Sequence, residues 1–280
     1  MLCDPLVDRL IELALLEDLS LGDVTTEATI PHDQLGMGKV AAKASFTIAG
    51  LDVATRVFAA VDPALVVTWN VVDGARVAKG DVVGTATGPT RSLLMAERTV
   101  LNFLQRLSGI ATATRQFTDA VAGTRARIVC TRKTTPGWRV LEKAAVRAGG
   151  GHNHRFSLGS GVLIKDNHVD SGGGVAQAIA AARRYAPHSL RIEIEVRTAA
   201  ELQQAVDAGA DVVLLDNMDR DTLRDSVAKA RLAGVMSEAS GGVTLERVRA
   251  VADAGVDLIS IGALTHSAVA MDINMKVRPL

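Results

Sequence analysis

The residues of this chain that could do chemistry gather where short apolar runs end. RIVC at 127–130 leads into Arg132 and Lys133, and VLIK at 162–165 closes with Lys165 and continues into Asp166, Asn167 and His168. IEIEV at 192–196 carries Glu195, VVLLD at 212–216 ends in Asp216 with Asn217 next, and VMSE at 235–238 ends in Glu238. LISIG at 258–262 ends at Gly262, with His266 four residues on. The signs are sorted along the chain. Nine Lys or Arg and one acid, Glu142, lie between Arg125 and Lys165, in a protein with 31 basic and 31 acidic residues. A cation at the enclosed end of an apolar strand costs roughly several kcal/mol unless an anion meets it. Arg132, Lys133 and Lys165 therefore read as a pocket for a multiply anionic ligand, whereas Arg139, Lys143 and Arg147, spaced by fours, read equally well as a solvated helix face.

The acids complement that pocket. Glu195 and Asp216 lie on adjacent repeats and offer oxygen ligands to a divalent cation that bridges to phosphates, as magnesium does. EASGG at 238–242 and the glycine at 262 are candidate phosphate grips, because glycine lets backbone N–H groups approach an anion and the following helix adds its positive end. GGGHNHR at 149–155 makes a flexible turn whose His152, His154 and Arg155 are better placed to hydrogen-bond an anion than to hold a metal, since no softer ligand accompanies the two histidines. No GxSxG, P-loop or GxGxxG pattern is present, so nucleophilic hydrolysis, NTP hydrolysis and dinucleotide redox lose their usual support.

The elements that must position these residues follow from periodicity. After Gly109 the six apolar runs alternate with alanine-rich helical segments such as AAELQQAVDAGA, the βα repeat pattern. Right-handed crossovers wind such units into an α/β barrel two strands short of eight, with a doubly wound sheet as the alternative. In both, ligands bind at the carboxyl ends of the strands. The first hundred residues read as α+β. Leu6, Leu10, Leu13, Leu16 and Leu19 predict an amphipathic helix, GDVTTEATIP a loop, and Lys39–Ile48 one half-buried alternating strand. Short β segments, VVTWNVV and VVGTATG, flank the turn-rich DGARVAKGD, and Ser92–Leu107 predicts a helix.

Composition removes several classes. With 280 residues, 48% of them hydrophobic, the chain can bury a sizeable core. Zero net charge supplies no global field toward nucleic acid or an anionic membrane, and 3% aromatics leave few stacking platforms. Two cysteines, Cys3 and Cys130, are too few for a disulfide framework or a cysteine zinc site. No apolar stretch approaches the roughly 18 residues of a membrane span. The expectation is a soluble cytoplasmic protein that binds neither nucleic acid nor membrane.

The run CTRKTTPGWRVLEKAAVRAGGGHNHRFSLGSGVLIKDNH, with GDVTT, AERTVLN, LSGIAT, LLDN, EASGG and IGALTHS, closely resembles the quinolinate phosphoribosyltransferase family over nearly the whole chain. The resemblance implies an N-terminal α/β sandwich domain over 1–108 and an incomplete, six-stranded α/β barrel with the active site over 109–270, with a tail at 271–280 returning to the first domain. It implies transfer of phosphoribosyl from phosphoribosyl pyrophosphate to quinolinate with decarboxylation, giving nicotinate mononucleotide, pyrophosphate and carbon dioxide in NAD biosynthesis, with Mg2+ as cofactor. Carried over residue by residue, Arg132, Lys133, His154, Arg155 and Lys165 form the basic pocket for the two quinolinate carboxylates and nearby phosphates. Glu195 and Asp216 stand near ribose and magnesium, as ligands directly or through water, and Ser240, Gly241, Gly242, Gly262 and His266 form the grip on the ribose 5-phosphate. Lys133, Lys165, Glu195 and Asp216 are the implied catalytic set. Arg98 corresponds to an arginine that reaches into the partner's site, so a homodimer is implied, open to assembly into a hexamer. Cys130, where an acid often precedes TRKT, and Arg197, where a polar or acidic residue is usual, depart from the family pattern.

Three competing readings share features of the sequence. A molybdenum-transport paralogue has the same fold and TRKT-like segments, but IKDNH with HNHRF favours quinolinate. DGARVAKGDVV resembles the hairpin of biotinyl and lipoyl carriers, although Lys79 lacks an attachment motif. A phosphate-sugar sensor would keep the grip without turnover.

Overall fold

The computed structural model describes residues 4–280, and by internal packing these form two units. The first holds the chain up to Arg115, together with Thr134–Gly150 and Leu264–Leu280; the second holds Gln116–Lys133 and Gly151–Ala263.

The first unit begins with α1 (Pro5–Leu19), α2 (Val24–Thr29), β1 (Leu35–Ala42), β2 (Phe46–Thr47), α3 (Leu51–Val61), β3 (Val66–Trp69), β4 (Arg76–Val77), β5 (Val82–Pro89) and α4 (Thr90–Ala120). Three details differ from the sequence expectation. GDVTTEATIP contains a helix, because Asp23 caps α2 by accepting from Thr26 N at 2.9 Å. The predicted strand Lys39–Ile48 is two strands: Lys43 turns away, donating its N–H to Asp272 O, and Thr47, expected on the polar face, is buried and donates to Thr112 Oγ1 at 2.9 Å. The helix predicted to end at Leu107 continues to Ala120 through Gly109, where a Cβ would stand 2.1 Å from Val269 O, so this glycine serves close packing and not termination.

The second unit's strands are β6 (Arg127–Val129), β7 (Val162–Ile164), β8 (Ile192–Val196), β9 (Val212–Asp216), β10 (Met236–Ser240) and β11 (Leu258–Ser260). Between them run α5 (Arg139–Ala148), which packs in the first unit, then α6 (Asp166–Ser171), α7 (Val175–Tyr185), α8 (Ala199–Asp207), α9 (Arg220–Leu232) and α10 (Leu245–Asp253). The chain closes with α11 (Ala263–His266) and β12 (Ile273–Pro279). All six predicted apolar runs are strands. They form one parallel sheet in the order β6-β11-β10-β9-β8-β7. Apart from β6 lying beside β11, this is chain order. A doubly wound sheet reverses direction at a switch point and this one does not, so the winding is that of an α/β barrel left open between β6 and β7. At the free edge of β6 the GGGHNHR segment runs alongside, with His152 N donating to Ile128 O at 2.8 Å and Cys130 N donating to His152 O at 3.1 Å.

The four-stranded antiparallel sheet of the first unit has the order β12-β1-β5-β3, so the C-terminal strand hydrogen-bonds along β1 from Ala42 to Gly36. Segment 134–150 is fixed in this unit by buried Glu142, which accepts from Arg106 at 2.8 Å, and by Trp138 stacked on Phe103 at 4.8 Å. The expected boundary at 108/109 thus falls inside α4. Among the described residues no helix is long and apolar enough to cross a membrane.

Candidate active site

The site is built at the carboxyl ends of the parallel strands. Strands of an α/β barrel are buried on both faces and ordinarily read as unbroken apolar runs. In β8 Ile192, Ile194 and Val196 are buried on one face, so Glu193 and Glu195 share the other. Three turns of the sheet end beside one another. Ser240 is the register partner of Asp216 on the neighbouring strand, and Glu195 is paired with Leu214, two residues before Asp216.

Arg132 follows β6, and its Nε is buried with no hydrogen-bond partner among the described residues. Arg155 is partly buried, with one guanidinium nitrogen donating to Gly161 O at 3.1 Å. Burial, and then the charge of Arg132, pull the Arg155 guanidinium below its ordinary range, with Glu193 opposing. Two arginines whose charges bear on each other, one with an unsatisfied buried N–H, suit an anion. Lys165 Nζ lies 3.3 Å from Glu195 Oε2. Asn217 Nδ2 donates to Asp216 Oδ2 at 2.7 Å, and Asn217 N donates to Ser240 O at 3.1 Å. Asn217 is the sole non-glycine residue with positive φ among those described, at 53°, and a Cβ on Gly241 would come within 2.2 Å of its Oδ1. Glycine is required there on two counts, since Gly241 itself has φ 93°. Gly242, also left-handed at φ 54°, continues a turn that leads into α10, so backbone N–H groups are available to a phosphate.

His154 faces two buried acids. Its Nε2 is 3.0 Å from Glu193 Oε2 and 3.6 Å from Glu238 Oε2. Its Nδ1 accepts the backbone N–H of Arg155 at 2.7 Å.

The structure thus brings Arg132 beside Arg155, Lys165 beside Glu195, and Asp216 beside Ser240, Gly241 and Asn217. Lys133 and Gly262 follow β6 and β11, neighbours in the same sheet, by four and two residues. Arg98, exposed on α4, and His266, whose Nδ1 lies 2.7 Å from Ser267 Oγ, fall in the first unit. Sequence reasoning placed Asn217 and Glu238 at strand ends without giving them a role in the site, and it passed over Glu193. The available signal was the alternation in IEIEV, and in MSEAS an acid in the middle of a strand. The two departures have local partners: buried Cys130 donates to Asn153 Oδ1 at 3.4 Å, and Arg197 pairs with Asp166 at 2.8 Å on the surface.

The carboxylates of Glu195 and Asp216 and the waters and phosphates a substrate brings are the hard oxygen donors that Mg2+ takes, so the residues present fit that ion.

Comparison with known proteins gives a consistent result. Residues 23–108 match the family described as quinolinate phosphoribosyl transferase, N-terminal domain, and residues 110–276 match its C-terminal domain. A probable nicotinate-nucleotide pyrophosphorylase [carboxylating] of Bacillus subtilis is 43% identical, covering 96% of this chain and 92% of the relative. Quinolinate phosphoribosyltransferase [decarboxylating] 1b of Nicotiana tabacum is 41% identical over 95% of this chain and 81% of its own. The crystal structure of NadC from Streptococcus pyogenes superposes with a TM-score of 0.94 at 38% identity, covering 98% and 97% of the two chains.

Proposed function

The chain belongs to the quinolinate phosphoribosyltransferase family, and from that premise we propose that it transfers phosphoribosyl from phosphoribosyl pyrophosphate to the ring nitrogen of quinolinate. Pyrophosphate and carbon dioxide leave, and nicotinate mononucleotide is formed for NAD biosynthesis. The observation that carries the reading is the Arg132–Arg155 pair, cationic, partly enclosed and short of an anion, at the open edge of the barrel. A dicarboxylate satisfies it. Arg132, Lys133, Arg155 and Lys165 bind and orient the two carboxylates, with His154 hydrogen-bonded to the main chain of Arg155.

Departure of pyrophosphate leaves an electron-poor ribose carbon, which the carboxylates of Glu195 and Asp216 stabilise, while Lys133 and Lys165 neutralise the departing charge. The turn Ser240–Gly242, with Gly262, grips the 5-phosphate. Glu195 and Asp216 would hold Mg2+, which when bound supplies charge neutralisation on the pyrophosphate. After ribosylation the C–CO2 bond breaks, its electron pair stays on the carbon beside the cationic ring nitrogen, which stabilises it, and that carbon then takes up a proton from solvent, so the substrate is its own electron sink. The protein positions it and excludes water.

Activity in a homodimer, with Arg98 contributed in trans, and a cytoplasmic setting complete the proposal. Exposed Arg98 makes no ion pair within 4 Å among the described residues, which leaves it available to a partner subunit's site. Incubation with quinolinate, phosphoribosyl pyrophosphate and magnesium should yield nicotinate mononucleotide. Nicotinate, with one carboxylate for the same donors, should be a poor substrate. Equal turnover of the two acids in competition, or no product with quinolinate, would refute the assignment.

A further inference from the structure

The barrel interior holds a charge cluster that the reaction above does not consume. His154 Nε2 and one oxygen each of Glu193 and Glu238 lie within 4.8 Å of one another. Glu238 is 1% exposed and Glu193 7%. Glu238 interacts with the side chains of Ser260 and Glu193, and among the described residues no donor with good hydrogen-bond geometry reaches Oε1 of Glu193. Two buried carboxylate oxygens, one from each acid, face one imidazole.

The character of the cluster is decided by the other side of the ring. Because Nδ1 accepts the Arg155 N–H at 2.7 Å, Nδ1 keeps its lone pair and the ring proton of the neutral imidazole sits on Nε2. A metal ion on Nε2 would need that lone pair too and would leave an anionic imidazolate. The geometry is that of a donor facing acceptors: Nε2–H toward Glu193 Oε2 at 3.0 Å, with Glu238 beyond at 3.6 Å. Two fully charged carboxylates this close and this buried would repel each other. Burial, and then the charge of Glu193, push the Glu238 carboxyl up to about 7, against the pull of His154.

We propose that Glu238 is a positioning residue: beside Glu193 it holds His154 in the Nε2–H form, and through Nδ1 it fixes the main chain of Arg155 in the anion pocket. Its effect on activity rests on the assignment of Arg155 to the quinolinate pocket made above. Glu238 acts as a neutral carboxyl, so that one carboxylate, Glu193, answers one N–H. An amide of the same shape can take its place, whereas an apolar residue cannot.

The test uses the full chain with histidine rings labelled with 15N, comparing wild type, Glu238→Gln and Glu238→Leu. Wild type should show His154 with a protonated Nε2 and an unprotonated Nδ1. Glu238→Leu should lose that signature and raise KM for quinolinate about tenfold or more, since a misplacement near 1 Å costs on that order, with KM for phosphoribosyl pyrophosphate little changed. Glu238→Gln should restore both the signature and the quinolinate KM to within about threefold of wild type. Glu238→Gln as damaging as Glu238→Leu would overturn the proposal, because it would require a charged carboxylate. So would wild-type quinolinate KM in Glu238→Leu, a protonated Nδ1 in wild type, or a stoichiometric metal ion in the purified protein that His154→Ala removes. If Glu238→Leu does not fold, the wild-type spectrum and the Glu238→Gln kinetics still decide. Absence of turnover in wild type would refute the reaction, while the ring spectra would still report on the cluster.

Discussion

Replacing Arg132 by Met should weaken quinolinate binding and at the same time stabilise the ligand-free protein. Methionine keeps much of the apolar stem and removes the guanidinium, whose buried Nε has no partner and whose charge bears on Arg155. A charge-assisted contact to a carboxylate is worth roughly 1.5–3 kcal/mol, so KM for quinolinate should rise about ten- to 150-fold. Without ligand, relief of one unsatisfied buried donor and of the like charge should add about 1 kcal/mol, or about 2–4 °C in Tm. With quinolinate at 100 times the wild-type Kd, binding stabilises wild type by about 2.7 kcal/mol but a tenfold weaker variant by only about 1.4 kcal/mol. Initial rates at varied quinolinate, and thermal unfolding with and without it, measure all three. A variant with unchanged quinolinate KM has no carboxylate on Arg132. A lower ligand-free Tm would mean that the guanidinium is stabilising where it sits, and the anion argument would fail.

Gly241→Ala should raise KM for phosphoribosyl pyrophosphate at least about tenfold, because a left-handed backbone and a Cβ 2.2 Å from Asn217 Oδ1 cost about 1–3 kcal/mol of strain at the proposed phosphate turn; an unchanged value would detach that turn from the phosphate. Glu238, ordinarily near 4.5 and here pushed up to about 7, keeps in the native state a proton that the unfolded chain releases, so it costs stability increasingly as pH rises from about 4.5 to 7. Glu238→Gln should therefore gain on wild type between pH 5 and pH 8, by up to ~3 kcal/mol in denaturant titrations, and an equal difference at both pH values would contradict the raised carboxyl. Arg98→Ala and Lys133→Ala chains, each inactive alone, should recover about a quarter of wild-type activity when their subunits exchange at random, since a mixed two-fold dimer has one intact site. Confirmed exchange without recovery would end the trans assignment of Arg98.

The parallel sheet was legible because its strands are apolar runs bounded by polar turns, and β8 and β9 begin and end where the sequence places them. The first unit was less so, for reasons of competing signals. In Lys39–Ile48 the alternation continues across a chain reversal, because Ala42 ends β1 inward and Phe46 and Ile48 turn inward again from a different strand pair; period alone does not register the turn. At Gly109 the residue that stops many helices is instead the small surface that lets Val269 approach. Asp23 offered a cap three residues before Thr26 N, but the six-residue helix behind it is too short to show a period.

The site divides along the same physical line. Arg132, Lys165, Asp216 and the Ser240–Gly242 turn stand where a strand stops, and strand ends are visible in a sequence. Glu193 and Glu238 lie one or more residues inside their strands, where charge is masked by the apolar residues on either side. What exposes them is a contradiction between two rules. A strand flanked by neighbours in an α/β layer should be apolar on both faces, yet IEIEV alternates and MSEAS carries an acid in its middle, so these acids must find partners inside the fold. The partner, His154, comes from a segment joined to β6 by the single bridge Val129–His152. That tertiary fact has no periodic trace in the sequence. The acids inside the barrel could therefore be deduced from the chain alone, but the histidine they hold could not.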